Sequence, residues 1–169
     1  MRRFIGRGSV FVVALLLAVT GPAATAATVV QRDARDDAPA RFDIVRVTYV
    51  NNARVLSVKA KVVDLRPGRQ AFGYTMDAVG IPPLRGGYIA RTTLRRDGSV
   101  TAWLMRGDKK VSCPVRGRWR LGRDTVRLWY PQSCLRWHRT QRIQTYIGVP
   151  RPIGGDPADF TRPIRIPYR

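Results

Sequence analysis

Arg116, Arg118 and Arg120 fall at alternate positions, and Arg127 and Trp129 follow at the same interval. Alternate residues of a strand share one face, so this spacing sets guanidinium groups beside an indole. A guanidinium pairs with carboxylate, sulfate or phosphate through parallel charge-assisted hydrogen bonds. An indole can stack on a sugar or a base. The chemistry within reach is therefore recognition of an acidic polymer. The plain alternative is a solvated face on which Arg116 lies over Trp129 as a cation–π pair.

Groups suited to catalysis are sparse. Glutamate is absent, and His138 is the only histidine. Ser57, Ser99, Ser112 and Ser133 coexist with many aspartates, yet none sits in a Gly-x-Ser-x-Gly elbow. Zinc-protease and phosphate-cradling glycine motifs are missing. A glycosidase would need two aspartates across a cleft, which a sequence does not display. Calcium is weighed on Asp33, Asp36, Asp37 and Asp43, and again on Asp156 and Asp159. Their spacing does not follow the EF-hand loop, and Arg32, Arg35 and Arg41 are interleaved, so a solvated acidic segment is the expectation. Haem through His138 with Met76 or Met105 lacks an attachment sequence. No catalytic residue, metal or cofactor is expected.

The elements that must position the arginine face read as strands. Val45, Val47 and Tyr49 alternate with Arg46 and Thr48; after Asn51-Asn52, Leu56, Val58, Ala60 and Val62 alternate with Ser57, Lys59 and Lys61. This is the period of a half-buried antiparallel hairpin. Phe72, Tyr74 and Met76 form a further stripe. Residues 87–95 and the run Val100, Ala102, Leu104 flank an Asp97-Gly98 turn, and Gly107-Asp108 turns the chain again. Ile143, Thr145, Ile147 and Val149 mark a late strand, and Ile164-Arg165-Ile166 a final edge. Eight or nine short strands with no helical period predict an all-β antiparallel β-sandwich, jelly-roll or immunoglobulin-like.

The segment 113–134 carries the most detail. A type II′ turn at Gly122-Arg123 would pair Trp119 with Val126, Gly117 with Leu128 and Val115 with Tyr130 on an apolar face. The other face then sets Arg118 against Arg127 and Arg116 against Trp129. Pro114 and Pro131 end the ladder, and Cys113 and Cys134 lie just beyond them. These are the only two cysteines, so one disulfide across the hairpin base is expected.

Residues 1–26 have the three parts of a secretory signal. Arg2, Arg3 and Arg7 are followed by an apolar run from Val10 to Val19, and Ala24-Thr25-Ala26 offers a small-x-small cleavage site. The apolar run is roughly half the ~20 residues of a membrane span, and no later stretch is long enough. The domain plan is a signal at 1–26, a polar lead-in at 27–41, a sandwich at 42–150 and a Pro/Gly-rich tail at 151–169. The formal charge is +20, and +17 once the three signal arginines leave. Such a surface attracts polyanions. All 11 acids are aspartate and arginine dominates the 31 bases, a skew that a GC-rich genome would also produce.

The runs Asp43-Ile44-Val45-Arg46-Val47 and Leu56-Ser57-Val58-Lys59-Ala60-Lys61-Val62-Val63-Asp64-Leu65 resemble the opening hairpin of DOMON-like sandwiches, a group that includes family 9 carbohydrate-binding modules. Similar short secreted proteins occur in high-GC actinobacteria. The resemblance spans about residues 33–150 and implies a jelly-roll that binds sugar or another ligand; no functional residue carries over.

The sequence thus predicts a secreted, non-catalytic binding domain for an anionic polymer of the cell envelope or its surroundings, acting through Arg116, Arg118, Arg120, Arg127 and Trp129. Nucleic acid is the weaker partner, being rarer outside the cell. A neutral carbohydrate-binding module with a groove of Trp103, Tyr74 or Trp137 is the first alternative, and a small hydrolase using His138 the second. Oligomeric state and ligand identity are left open.

Overall fold

A strand that alternates apolar and polar residues can bury only one side, so two such sheets must close on each other. They do so in a computed structural model, which describes residues 27–78, 87–136, 140–150 and 157–168. The strands are β1 (Ala27–Arg32), β2 (Ile44–Asn51), β3 (Val55–Val62), β4 (Gln70–Ala78), β5 (Tyr88–Leu94) and β6 (Val100–Arg106). They continue with β7 (Lys109–Lys110), β8 (Arg116–Arg120), β9 (Thr125–Pro131), β10 (Gln141–Gly148), β11 (Pro157–Phe160) and β12 (Ile164–Ile166). One sheet runs β1-β2-β3-β9-β8; the other runs β11-β10-β4-β5-β6-β7, with β12 also on β10. All pairings are antiparallel. The protein is an all-β sandwich with one disulfide.

Between the sheets lie Val47, Tyr49, Leu56, Val58, Val126, Leu128 and Tyr130 from the first, and Phe72, Tyr74, Met76, Leu104, Ile143 and Ile147 from the second. Tyr74 and Tyr130 stack across the interface with ring centroids 6.4 Å apart. The Tyr49 hydroxyl meets Gln31 Oε1 at 2.9 Å and Thr145 Oγ1 at 3.0 Å, so a polar group in the core is satisfied from both sheets.

The β2–β3 hairpin follows its expected alternation with one change. The register shifts between Ile44 and Arg46, and both Ile44 and Val47 are fully buried while Val45 is half-buried. A bulge of this kind adds one residue to a strand and reverses its facing. The inward residue at the start of β2 is therefore Ile44, not Val45.

Two expectations of extent change. Residues 27–41 are not simply a lead-in, because Ala27–Arg32 pairs with β2 from Ala27↔Asn51 to Arg32↔Arg46. The 151–169 tail supplies β11 and β12, both on β10. The last of these was expected at Ile164-Arg165-Ile166; β11 was not.

The β8–β9 register agrees with the sequence reading: Arg116↔Trp129, Gly117↔Leu128, Arg118↔Arg127 and Trp119↔Val126. Its turn does not. Leu121–Arg123 forms a single 3-10 turn, and Asp124, with φ 48°, closes it in the left-handed region. Four residues thus connect the strands in place of a two-residue Gly122-Arg123 turn. The register survives because both turns have the same centre. The Asp124 carboxylate accepts from Leu65 N at 3.0 Å and Lys61 Nζ at 3.1 Å, which anchors the turn to the rest of the sheet.

Cys113 and Cys134 are bonded, with Cα atoms 5.8 Å apart, within the usual range for a disulfide. At the other end, β8 leans on β5: Trp119 Nε1 donates to Thr92 Oγ1 at 3.3 Å. Gly117 permits that approach, since a Cβ there would fall 2.6 Å from Thr92 Cβ. Gly117→Ala is expected to lower stability by about 2 kcal/mol through overpacking, read as a lower denaturation midpoint. Reduction of the disulfide should cost about 3 kcal/mol in the chain-entropy account; intact-mass detection of two free thiols in native protein would contradict the bridge.

Candidate functional site

β9 is the strand on which this surface depends, lying between β3 and β8. It buries Val126, Leu128 and Tyr130, so Thr125, Arg127 and Trp129 must face out. On one side it pairs with β8, and on the other with β3, through Ser57↔Trp129, Lys59↔Arg127 and Lys61↔Thr125. The outward residues of β2 and β1 extend the same rows.

Three rows result. Val30, Thr48, Lys59, Arg127 and Arg118 lie side by side; Arg32, Arg46, Lys61, Thr125 and Arg120 form the next row. The third is Thr28, Val50, Ser57, Trp129 and Arg116. Neighbouring strands are about 4.8 Å apart. The Lys59, Arg127 and Arg118 positions therefore span roughly 10 Å across three strands. Arg116, Arg118 and Arg127 are exposed, while Arg120 and Trp129 are half-buried.

All five residues singled out from the sequence share this face. Lys59, Lys61, Arg46 and Arg32 join them, and sequence reasoning missed these four. The outward facing of Arg46, Lys59 and Lys61 was visible in the β2–β3 alternation, whereas Arg32 lies on β1, and the β3–β9 pairing that unites the two sets joins residues some 70 positions apart.

Among the described residues, the face holds one ion pair, Lys61 Nζ to Asp124 Oδ2 at 3.1 Å. Hydrogen bonding to Lys61 holds the Asp124 carboxyl below its ordinary range. The cation over Trp129 is Arg127, at 5.0 Å from the ring centroid, and not Arg116. Arg127 Nε also donates to Ser57 Oγ at 2.8 Å. The reason is electrostatic: Arg127 stands opposite Arg118, and like charges in directly opposed positions repel. Its guanidinium lies over the electron-rich ring of Trp129 on its own strand and meets the Ser57 hydroxyl on β3, on the side away from β8.

The other sheet carries a shallow hollow of about 650 Å³ on its outer face, lined by Arg69, Arg91, Arg95, Arg96, Asp97 and Trp103 among others. Arg91 lies 5.9 Å from the Trp103 ring centroid. Tyr74 contributes nothing there: it points inward and is fully buried, which removes it from the expected sugar groove. Trp137 and His138 lie outside the described residues. Met76 is buried in the core, where it packs.

Neither a family model nor a curated protein matches this chain.

The acidic segment departs from the sequence reading. Asp43 and Asp159 are buried rather than solvated, and they meet Asp37. Asp156 lies outside the described residues. No helix among the described residues is long and apolar enough to cross a membrane.

The repulsion across β8 and β9 has a thermodynamic signature. Raising ionic strength from about 0.01 M to about 0.15 M shortens the screening length from about 30 Å to about 8 Å, so the melting temperature should rise. Arg118→Ser should flatten that rise and leave stability within about 0.5 kcal/mol of wild type. Arg127→Ala, which also loses the Ser57 bond and the Trp129 contact, should destabilise by about 1 kcal/mol.

Proposed function

We propose that this protein is an exported, non-catalytic binding domain that holds an anionic polymer of the cell envelope or its surroundings on the outer face of the β1-β2-β3-β9-β8 sheet. The observation that carries this reading is the row of Lys59, Arg127 and Arg118, flanked by Arg32, Arg46, Lys61, Arg116 and Arg120. Side chains arranged this way cost stability in the free protein, and a polymer bearing one charge per repeat would turn that cost into attraction. A face that crosses five strands suits an extended chain more than a small molecule, for which a concave pocket is the usual site. Trp129 would cover a sugar ring or other apolar patch while arginines take the acidic groups. The resemblance to carbohydrate-binding sandwiches supports a polymer ligand in general terms. The signal-like residues 1–26 and the disulfide favour a location outside the cytoplasm.

A second reading rests on the Trp103 hollow. It would bind a shorter saccharide there, and its arginines favour an acidic sugar over the neutral one expected from the sequence.

Retention on immobilised heparin and on purified cell wall, each with a salt titration, separates these. Polymer binding should weaken steeply with salt, with log K falling linearly against log salt concentration. Arg118→Ser combined with Arg127→Ser should reduce the slope magnitude by about 2, one unit for each lost contact. Absence of salt-sensitive retention would overturn the leading reading. Loss of binding on Trp103→Ala with Arg118 and Arg127 intact would install the second.

A further inference from the structure

The chain has 27 arginines among its 31 basic residues, yet among the described residues a group of its aspartates makes no ion pair with any of them, although the charge of Arg162 acts on Asp33. Asp33 follows β1, Asp37 lies in the β1–β2 connection, Asp43 stands at the entry to β2, and Asp159 is on β11. Among the described residues the two ion pairs are Lys61–Asp124 and Arg66–Asp64; none involves these four. The carboxylates have drawn toward each other instead. One oxygen from each of Asp37, Asp43 and Asp159 lies within 4.8 Å of the others.

Like charges at this separation repel strongly when taken out of water. Two of the three are deeply buried, Asp43 at 1% exposure and Asp159 at 7%. Backbone hydrogen bonds account for part of this. Asp43 Oδ2 accepts from Asp36 N at 2.8 Å, and Asp159 Oδ2 accepts from Ile44 N at 2.7 Å. Asp36 adopts φ 65° in the left-handed region, so the turn is bent to deliver that N–H. The remaining oxygens are the informative ones. Asp43 Oδ1 is buried with no hydrogen-bond partner, and so is Asp33 Oδ2. A buried carboxylate oxygen without a donor is costly and needs a cation or a proton.

We propose that Asp37, Asp43 and Asp159 form a calcium site that ties the β1–β2 connection to β11. The donor set is all carboxylate oxygen, which suits a hard cation and not zinc or copper. Two oxygens bound to one ion at about 2.4 Å can lie at most about 4.8 Å apart, and Asp37, Asp43 and Asp159 meet that limit. Magnesium binds at about 2.0 Å, prefers strict octahedral geometry and keeps its waters, so a cluster of carboxylate oxygens at this wider spacing favours the larger ion. Calcium here would also join the two sheets, since Asp43 enters the first and Asp159 belongs to the second.

The test is an isothermal titration of CaCl₂ into the full exported chain after stripping with a chelator, together with thermal melts in CaCl₂, MgCl₂ and NaCl of matched ionic strength. A single saturable site is expected, with the melting temperature raised by about 10 °C at calcium about 100-fold above its dissociation constant. Asp43→Asn disturbs a buried group and risks the fold, so Asp37→Asn is the decisive variant because Asp37 is exposed. In chelator it should melt at or slightly above wild type, having lost a repulsive charge, and calcium should shift it no more than NaCl of matched ionic strength does. Absence of binding heat together with an unchanged melt in calcium would overturn the site. So would an equal shift by MgCl₂ or NaCl, or a full calcium response in Asp37→Asn.

Discussion

The inward burial of Val126, Leu128 and Tyr130 on β9 is the constraint on which the rest of the surface depends. A strand in extended conformation has no freedom to choose its second face once the first is committed. Burying those three residues sends Arg127 and Trp129 outward. Pairing with β3 on one side and β8 on the other then brings two sets of cations, distant in sequence, into shared rows. The hydrophobic interior thus dictates the position of the charges without any favourable contact between them. Their mutual repulsion is tolerated because the apolar area gained by closing the sandwich outweighs the few tenths of a kcal/mol that each opposed pair costs.

Local features were legible in the sequence to the extent that a short stretch determined them. The β8–β9 register followed from alternation and from the symmetric placement of Pro114 with Pro131 and Cys113 with Cys134. It held even though the turn itself is a 3-10 turn closed by Asp124. The β2–β3 hairpin was equally readable, but its bulge was not, because Ile44 and Val45 are chemically alike and only tertiary packing decides between them. β1 and β11 escaped notice for another reason. Thr28 and Arg32 alternate with Val29 and Gln31 too weakly to announce a strand, and both elements owe their form to β2 and β10, which supply the hydrogen-bonding partners.

The surface was legible only in part for the same reason. Arg116, Arg118, Arg120, Arg127 and Trp129 belong to one hairpin and could be placed together from spacing. Lys59 and Lys61 belong to another, and nothing local says that β3 lies beside β9. The aspartates make the contrast sharper. Asp33, Asp37 and Asp43 are close in sequence and looked like a solvated run interrupted by arginines. Asp159, more than 100 residues later, draws Asp37 and Asp43 into a cluster in which it and Asp43 are buried, by arriving from the other sheet.

β8 is the outer strand of its sheet, and an outer strand offers unpaired backbone groups to any second strand that approaches. Arg116, Arg118 and Arg120 stand along that margin. Were two copies to align there, both would bring the same line of positive charge, and the backbone bonds on offer would have to overcome it. The arginines at this margin therefore oppose growth of the sheet from one molecule into the next.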